Sequence, residues 1–269
     1  RAPELLDRLG TPTEPGPTDG TALAHARGLT VSYGRRRAVD GVDLVLRVGS
    51  VTALMGRNGS GKTTLLWAVQ GSRPRDGGRL DVAGADPATL DRAARRRLVG
   101  LVPQTAADLL YLESVAEECS VADRDADRPS GSCRGLLDRL VPGVPDEVHP
   151  RDLSEGQRLA LALAIVLTAG PRVVLLDEPT RGLDYPAKAA LAGILASLRD
   201  EGHALCVATH DVEFVAQVAD RVVVLAEGAV VSEGPTGRVV TESPAFAPQV
   251  AKVLGPSWLT VDEVRAAMS

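Results

Sequence analysis

The stretch that decides the fold is Gly56-Arg57-Asn58-Gly59-Ser60-Gly61-Lys62-Thr63. It fits G-x-x-x-x-G-K-[ST], the pattern of a phosphate-binding loop. Residues 51–55 before it form a short apolar run that stops at glycine, as a buried strand does. After it, Leu65, Leu66 and Val69 recur at helical spacing, so the spacing predicts strand, loop and helix in that order. Glycines let backbone N–H groups curl around an anion, and the helix N-terminus adds positive potential. Lys62 is expected to reach the β- and γ-phosphates of a nucleotide and Thr63 to ligate Mg²⁺. Gly56, Asn58, Gly59, Ser60, Gly61 and Thr64 are expected to complete the cradle. A chance glycine turn is the alternative, and the flanking strand and helix argue against it.

Two further stretches carry chemistry. Val173-Val174-Leu175-Leu176-Asp177-Glu178 is an apolar strand ending in two carboxylates. Acids at such a strand tip lie at the edge where α/β proteins bind ligands. Asp177 is expected to hold Mg²⁺ directly or through water, and Glu178 to polarise an attacking water. A solvated acidic turn closed by Pro179 is the bland alternative. Leu153-Ser154-Glu155-Gly156-Gln157 opens a long helix. Ser154 and Gln157 make a capping box there, and the same helix start is an anion site. Capping needs neither the flanking leucine nor the glycine.

Around these stretches strands and helices alternate. Helices are expected over 154–169, 186–200 and 211–218. Strands are expected over 173–177, 204–209, 221–226 and 229–232. Such alternation argues a mostly parallel sheet covered on both faces. Residues 22–33 and 39–48 are strand-like, the second alternating apolar and polar. From about 87 to 148 the spacing is helical, with a strand signal only at 98–102 and a loop over 123–132. The expected fold is α/β, with a mostly parallel sheet, an antiparallel β edge and a helical insertion. The expected division is a tail over 1–21, a main domain over 22–235 with its insertion at about 87–170, and a helical tail over 236–269. That last tail carries Pro244, Pro248 and Pro256 and a short amphipathic helix near 261–268.

Composition narrows the classes. Of 269 residues 44% are hydrophobic and 24% charged, which excludes wholesale disorder. The net charge of −5 lacks the basic excess of a nucleic-acid binder. The longest apolar run, residues 159–167, is nine residues, against about 20 for a membrane span. Three cysteines, Cys119, Cys133 and Cys206, give no metal or disulfide pattern and suit a reducing compartment. Among the 30 basic residues only Lys62, Lys188 and Lys252 are lysine, and Lys is a compact point charge where Arg is a wide fork. Arg92, Arg95, Arg96 and Arg97 read as a solvated helix face.

The phosphate loop, the 153–157 pentapeptide and the Asp177–Glu178 pair, in that order and spacing, resemble the nucleotide-binding domain of an ABC transporter over about residues 22–235. The resemblance implies ATP with Mg²⁺ as ligands and a P-loop NTPase fold of ABC type. It implies adenine stacking by Tyr33, and sensing of Mg²⁺ and attacking water by Gln104. It implies a dimer-crossing loop at Asp184, and γ-phosphate contact by His210. It also implies that Leu153, Ser154, Glu155, Gly156 and Gln157 act in trans on a second cassette's nucleotide. Glu155 stands where the family usually has glycine, and is expected to point away from phosphate.

One branch is more similar. Asp108-Leu109-Leu110-Tyr111-Leu112-Glu113, Thr180-Arg181-Gly182-Leu183-Asp184-Tyr185 and the tail around Phe246 and Trp258 resemble energy-coupling-factor transporter ATPases. That likeness implies uptake of a vitamin or metal ion through a membrane scaffold and a substrate-binding membrane protein. The chain would sit at the cytoplasmic face of the cell membrane. A non-Met start and linker-like residues 11–20 fit the second cassette of a fused pair. The competing class is a soluble ABC-type ATPase of DNA repair or translation. Such proteins carry coiled coils, zinc modules or basic arms, and none is seen here, nor is a nucleic-acid partner expected. A third class, a module that keeps ATP as a structural ligand, is disfavoured by intact Glu178, Gln104 and His210. Four large apolar residues in a row, 109–112, cannot all be buried by one neighbour of a helix. Some are expected to be exposed for docking, unless the run turns through the core of the insertion.

Overall fold

β3 (Ser50–Met55), β6 (Val173–Asp177) and β7 (Ala204–Ala208) are buried at every position. Continuous burial is the mark of parallel strands covered on both faces. With β5 (Val99–Val102), β8 (Arg221–Ala226) and β9 (Ala229–Pro235) they form a six-stranded sheet of order β5-β6-β7-β3-β8-β9. All neighbours are parallel except the β8–β9 hairpin. Leu54 and Asp177 both lie in register with Ala208. The carboxyl ends of β3, β7 and β6 therefore stand side by side, and the loops that leave them open on one edge of the sheet. The computed structural model describes residues 20–242, 247–255 and 257–268. Most of the expected N-terminal tail, together with Pro244, Phe246 and Pro256, lies outside the described residues.

β1 (Ala22–Tyr33), β2 (Arg36–Arg47) and β4 (Gly77–Val82) make a second, antiparallel sheet of order β2-β1-β4. In β2, Val42, Leu44 and Leu46 are buried while Asp43 and Val45 face out, the alternation of a sheet covered on one side. α1 (Lys62–Gln70) joins the two sheets. Its Leu65 and Leu66 pack with Val39 and Leu44 on one side and Leu54 and Leu175 on the other. The opposite face of the large sheet carries α5 (Glu155–Thr168) and α6 (Tyr185–Asp200), with Leu163, Leu191 and Leu195 on Val51, Val174 and Leu205.

A third core belongs to the helices. α3 (Val115–Asp125), α4 (Ser132–Leu140) and α5 share Val115, Cys119, Cys133, Leu137 and Leu161. Burial pushes the Cys206 thiol up to about 12, and all three cysteines are free. α7 (Val212–Val218) and α8 (Thr236–Glu242) close the edge of the large sheet over Met55, Val222 and Val224. α9 (Gln249–Leu254) and α10 (Val261–Met268) follow. No helix among the described residues is long and apolar enough to cross a membrane.

The structure corrects four expectations. β5 is a strand of the large sheet and α2 (Arg92–Leu98) packs against it, so residues 87–102 belong with the sheet rather than with the helices that follow. The loop expected over 123–132 is shorter. α3 runs on to Asp125, and the buried carboxylate of Asp123 accepts from the amides of Gly131 and Cys133 at 2.7 Å each. The arginine cluster is not merely solvated: Arg95 donates to the Gly71 carbonyl at 3.0 Å and Arg96 pairs with Asp125 at 3.2 Å. The 109–112 run is not helical. A 3-10 turn, Ala106–Leu109, gives way to extended chain at Leu110. Leu109 enters the α5–α6 core and Leu110 the helical core, while Tyr111 is 78% exposed.

Candidate active site

The loop from β3 to α1 turns through three glycines with positive φ: Gly56 (149°), Gly59 (81°) and Gly61 (108°). A Cβ on Gly61 would collide with the Ala38 carbonyl oxygen, and one on Gly56 with the Leu225 carbonyl oxygen. Both conformation and space demand glycine there. The loop is braced from outside, since the Ser60 carbonyl accepts from the Gly228 amide at 3.0 Å.

Lys62 opens α1 at 6% exposure. Its Nζ donates to the Gly56 carbonyl at 2.8 Å and stands 3.4 Å from Glu178 Oε1. Glu178 is itself buried and has φ +49°. A non-glycine residue in that left-handed region stores about 1–3 kcal/mol of strain. It is held there by its amide, which donates to the Ala208 carbonyl at 2.7 Å, and by the neighbouring Thr180–Thr209 hydroxyl contact at 3.3 Å. Its other oxygen lies 2.8 Å from His210 Nδ1. Glu178 therefore bridges a cation and an imidazole, and one of its oxygens can take a proton from water.

Asp177 ends β6 at 2% exposure, and neither carboxylate oxygen has a hydrogen-bond partner among the described residues. Burial pushes its carboxyl above the usual range, and the charge of Glu178 adds to this; the Thr63 hydroxyl and the Lys62 ammonium pull the other way. A buried carboxylate with no well-formed hydrogen bond, and only the Thr63 hydroxyl and the Lys62 ammonium favouring its charge, is unusual and calls for an explanation. A divalent cation supplies one, because carboxylate and hydroxyl oxygens are the hard donors that Mg²⁺ takes. No group of three or more His, Cys, Asp or Glu that could cage a metal exists among the described residues. Mg²⁺ here would be shared between Asp177, Thr63 and oxygens of the ligand itself, which is its usual mode with phosphates.

Lys62, Thr63, Glu178 and His210 meet at one cavity of about 710 Å³, whose walls also include Tyr33, Asn58 and Gln104; Asp177 does not line it. Tyr33 is half exposed, and the Arg73 guanidinium covers one side of its ring at 3.9 Å from the centroid, leaving the other side to stack. Two charged wall residues were not expected from the sequence. Arg36 donates to the Gly59 carbonyl at 3.1 Å, and Arg181 follows the acidic strand tip. The signal for the second was its place in Thr180-Arg181-Gly182.

The 153–157 pentapeptide and Asp184 do not line this cavity. Ser154 and Gln157 form the expected capping box at 3.2 and 3.0 Å. Asp184 caps α6, accepting from the Ala187 amide at 2.9 Å. Glu155 is paired with Arg158 at 2.6 Å. It lines a second cavity of about 340 Å³ that shares Gln104, Glu178 and Arg181 with the first. The arrangement is an oxyanion cradle with a buried ammonium, a cation-hungry carboxylate and a carboxylate–imidazole pair, the parts that phosphoryl transfer to water requires.

Comparison with known proteins agrees with this chemistry. The ABC transporter family profile matches residues 39–181. A Streptomyces coelicolor protein described as an ABC transporter ATP-binding protein is 57% identical over 248 residues, 91% of this chain and 44% of that one. The cobalt import ATP-binding protein CbiO of Rhodobacter capsulatus is 33% identical over 234 residues, 84% of each chain. Among solved structures, cbiO1 from Clostridium perfringens, described as part of the ABC transporter complex cbiONQ, superposes with a TM-score of 0.71 at 29% identity. That superposition covers 81% of this chain and 90% of that one. The chain spans about half the length of two of its relatives, 44% of that Streptomyces coelicolor protein and 47% of one from Streptomyces avermitilis.

Proposed function

The chain belongs to the ABC transporter family of ATPases, and from that premise we propose that it binds ATP with Mg²⁺ and hydrolyses it to power uptake of a small molecule through a separate membrane partner. The observation that carries this reading is the convergence of Lys62, Glu178 and His210 on one cavity. Lys62 and the loop amides hold the β- and γ-phosphates. Thr63, Asp177 and Gln104 would hold Mg²⁺, which when bound would screen phosphate charge. Glu178 accepts a proton from the attacking water, and His210 orients Glu178 and reaches the γ-phosphate. Tyr33 stacks on adenine with Arg73 fixing its far face.

None of residues 153–157 lines the cavity. This supports a head-to-tail dimer in which Ser154 and its neighbours act on the partner cassette's γ-phosphate, with Asp184 at the crossing loop. We further propose an energy-coupling-factor type importer with a membrane scaffold and a substrate-binding membrane protein, working at the cytoplasmic face of the membrane. Support comes from the likeness to the cobalt import protein CbiO and to cbiO1. The half-length match to two of the Streptomyces relatives supports one cassette of a fused pair. Within the chain the division proposed is a nucleotide-binding domain over 22–235, a helical insertion inside it and a C-terminal helical tail.

The test is Glu178→Gln. It keeps the cradle and removes the proton acceptor, so it should bind ATP-Mg²⁺ yet release phosphate about 10²-fold or more slowly. Near-normal turnover would sink the assignment.

A further inference from the structure

The pentapeptide departs from expectation at Glu155, a carboxylate in the first turn of α5. Such a carboxylate suits the helix dipole, but it is also a built-in rival. The first-turn amides of a helix have no intrahelical acceptor, and an unrestrained Glu155 side chain could answer them as an incoming phosphate would. The structure keeps it elsewhere. Arg158 Nη1 holds Glu155 Oε1 at 2.6 Å. Arg158 is itself fixed before it meets Glu155. Its Nε donates to the Pro150 carbonyl at 3.2 Å, and its Nη2 to the Arg151 and Leu153 carbonyls at 3.0 and 2.8 Å. The side chain of Arg158 is 17% exposed against 57% for Glu155. A locked guanidinium therefore tethers a loose carboxylate, and the Cγ of Glu155 comes to rest against Gly182, where a Cβ would lie 3.5 Å away.

We propose that Arg158 is a positioning residue that holds the Glu155 carboxylate off the anion-facing start of α5, so that a signature bearing a carboxylate still accepts phosphate. The proposal rests on the reading that this helix start acts on a partner cassette's γ-phosphate. Arg158 acts through Glu155 and touches no reacting atom. Its three carbonyl contacts also close the 150–153 turn, so a purely structural role is the rival account.

A mutant cycle in the assembled full-length protein with its partners separates the two. Arg158→Met should lower kcat at saturating ATP on the order of tenfold while moving KM less. Adding Glu155→Gly should restore turnover to about that of Glu155→Gly alone, because the rival charge is gone. Raising salt should help Arg158→Met more than the parent, since an unpaired exposed charge is screened. Arg158→Lys keeps the charge and should fall between, which preserves the test if the methionine variant folds poorly. A double variant as slow as Arg158→Met overturns the proposal, because Arg158 then serves only the turn. Ser154→Arg checks the premise: if it hydrolyses normally, the helix start does not face phosphate and the proposal falls with that reading. If Ser154→Arg is inactive and the double variant is not rescued, the premise stands and the proposal alone fails.

Discussion

Asp177→Asn should make the nucleotide-free protein more heat-stable and less responsive to magnesium. Asp177 is 2% exposed and its oxygens have no hydrogen-bond partner among the described residues, and burial raises its carboxyl. The unfolded-state reference is about 3.9. A group raised in the folded state stabilises most below that reference, and the stabilisation is lost as pH rises through the folded value. At neutral pH the ionised carboxylate is therefore a net cost to the fold. An amide of the same shape removes the charge but remains a buried polar group without a partner, so the gain is only the excess cost of holding the ion, on the order of 2 kcal/mol. For a chain of this size each kcal/mol moves Tm by about 2–4 °C, so the variant should melt about 4–8 °C higher at neutral pH. The gap should close toward the unfolded reference, where Asp177 itself is protonated. With ATP and Mg²⁺ the order should reverse. The parent gains about 2.7 kcal/mol at a hundredfold excess over Kd, while the variant has lost a metal donor. Scanning fluorimetry across pH, with magnesium or a chelator, reads all of this. A variant that melts lower at neutral pH, or gains as much from magnesium, refutes the reasoning.

Lys62→Ala should lose nucleotide affinity, since the buried ammonium that faces Glu178 and Gly56 is the cradle's main charge; unchanged ATP binding by calorimetry would contradict it. Gly61→Ala should destabilise by about 1–3 kcal/mol, because the new Cβ strikes the Ala38 carbonyl and φ is +108°; denaturant unfolding measures this, and an unshifted midpoint counts against the argument. Tyr111→Ser should leave basal ATP hydrolysis nearly intact and weaken co-purification with the proposed membrane partner, since Tyr111 is 78% exposed beside half-buried Leu109 and Leu110; loss of folding would assign Tyr111 a structural role instead.

The parts of the site that sequence made legible are the parts whose chemistry is local. Eight consecutive residues define the phosphate loop, and Asp177 and Glu178 are marked by the strand they end. Long-range partners left no such trace. Nothing near Tyr33 announces Arg73 across its ring, and nothing in 153–157 announces that Arg158 binds three upstream carbonyls. Period reading failed where one segment serves two cores. Leu109 and Leu110 are adjacent and pack against different clusters, and the chain between them passes from a 3-10 turn to extended, so no single period describes it. β4 was silent because only Leu80 and Val82 of its six residues are buried. The end of α3 was misplaced because Asp123 looked like a turn residue; its carboxylate instead accepts the amides that open α4.

The shared register of Leu54, Asp177 and Ala208 has a consequence for error tolerance. Side chains on a strand alternate faces, so a slip of one residue in β7 would put Thr209 where His210 stands, or His210 where Thr209 stands. It would equally turn Leu205 and Val207 out of the helix-covered face and into the other. The apolar pattern that keeps the sheet aligned is thus the ruler that measures the site. A defect deep in β7, far from any phosphate, would reach the chemistry as misplacement before the fold gave way. Damage of that kind should look like a catalytic lesion in a protein that still melts cooperatively.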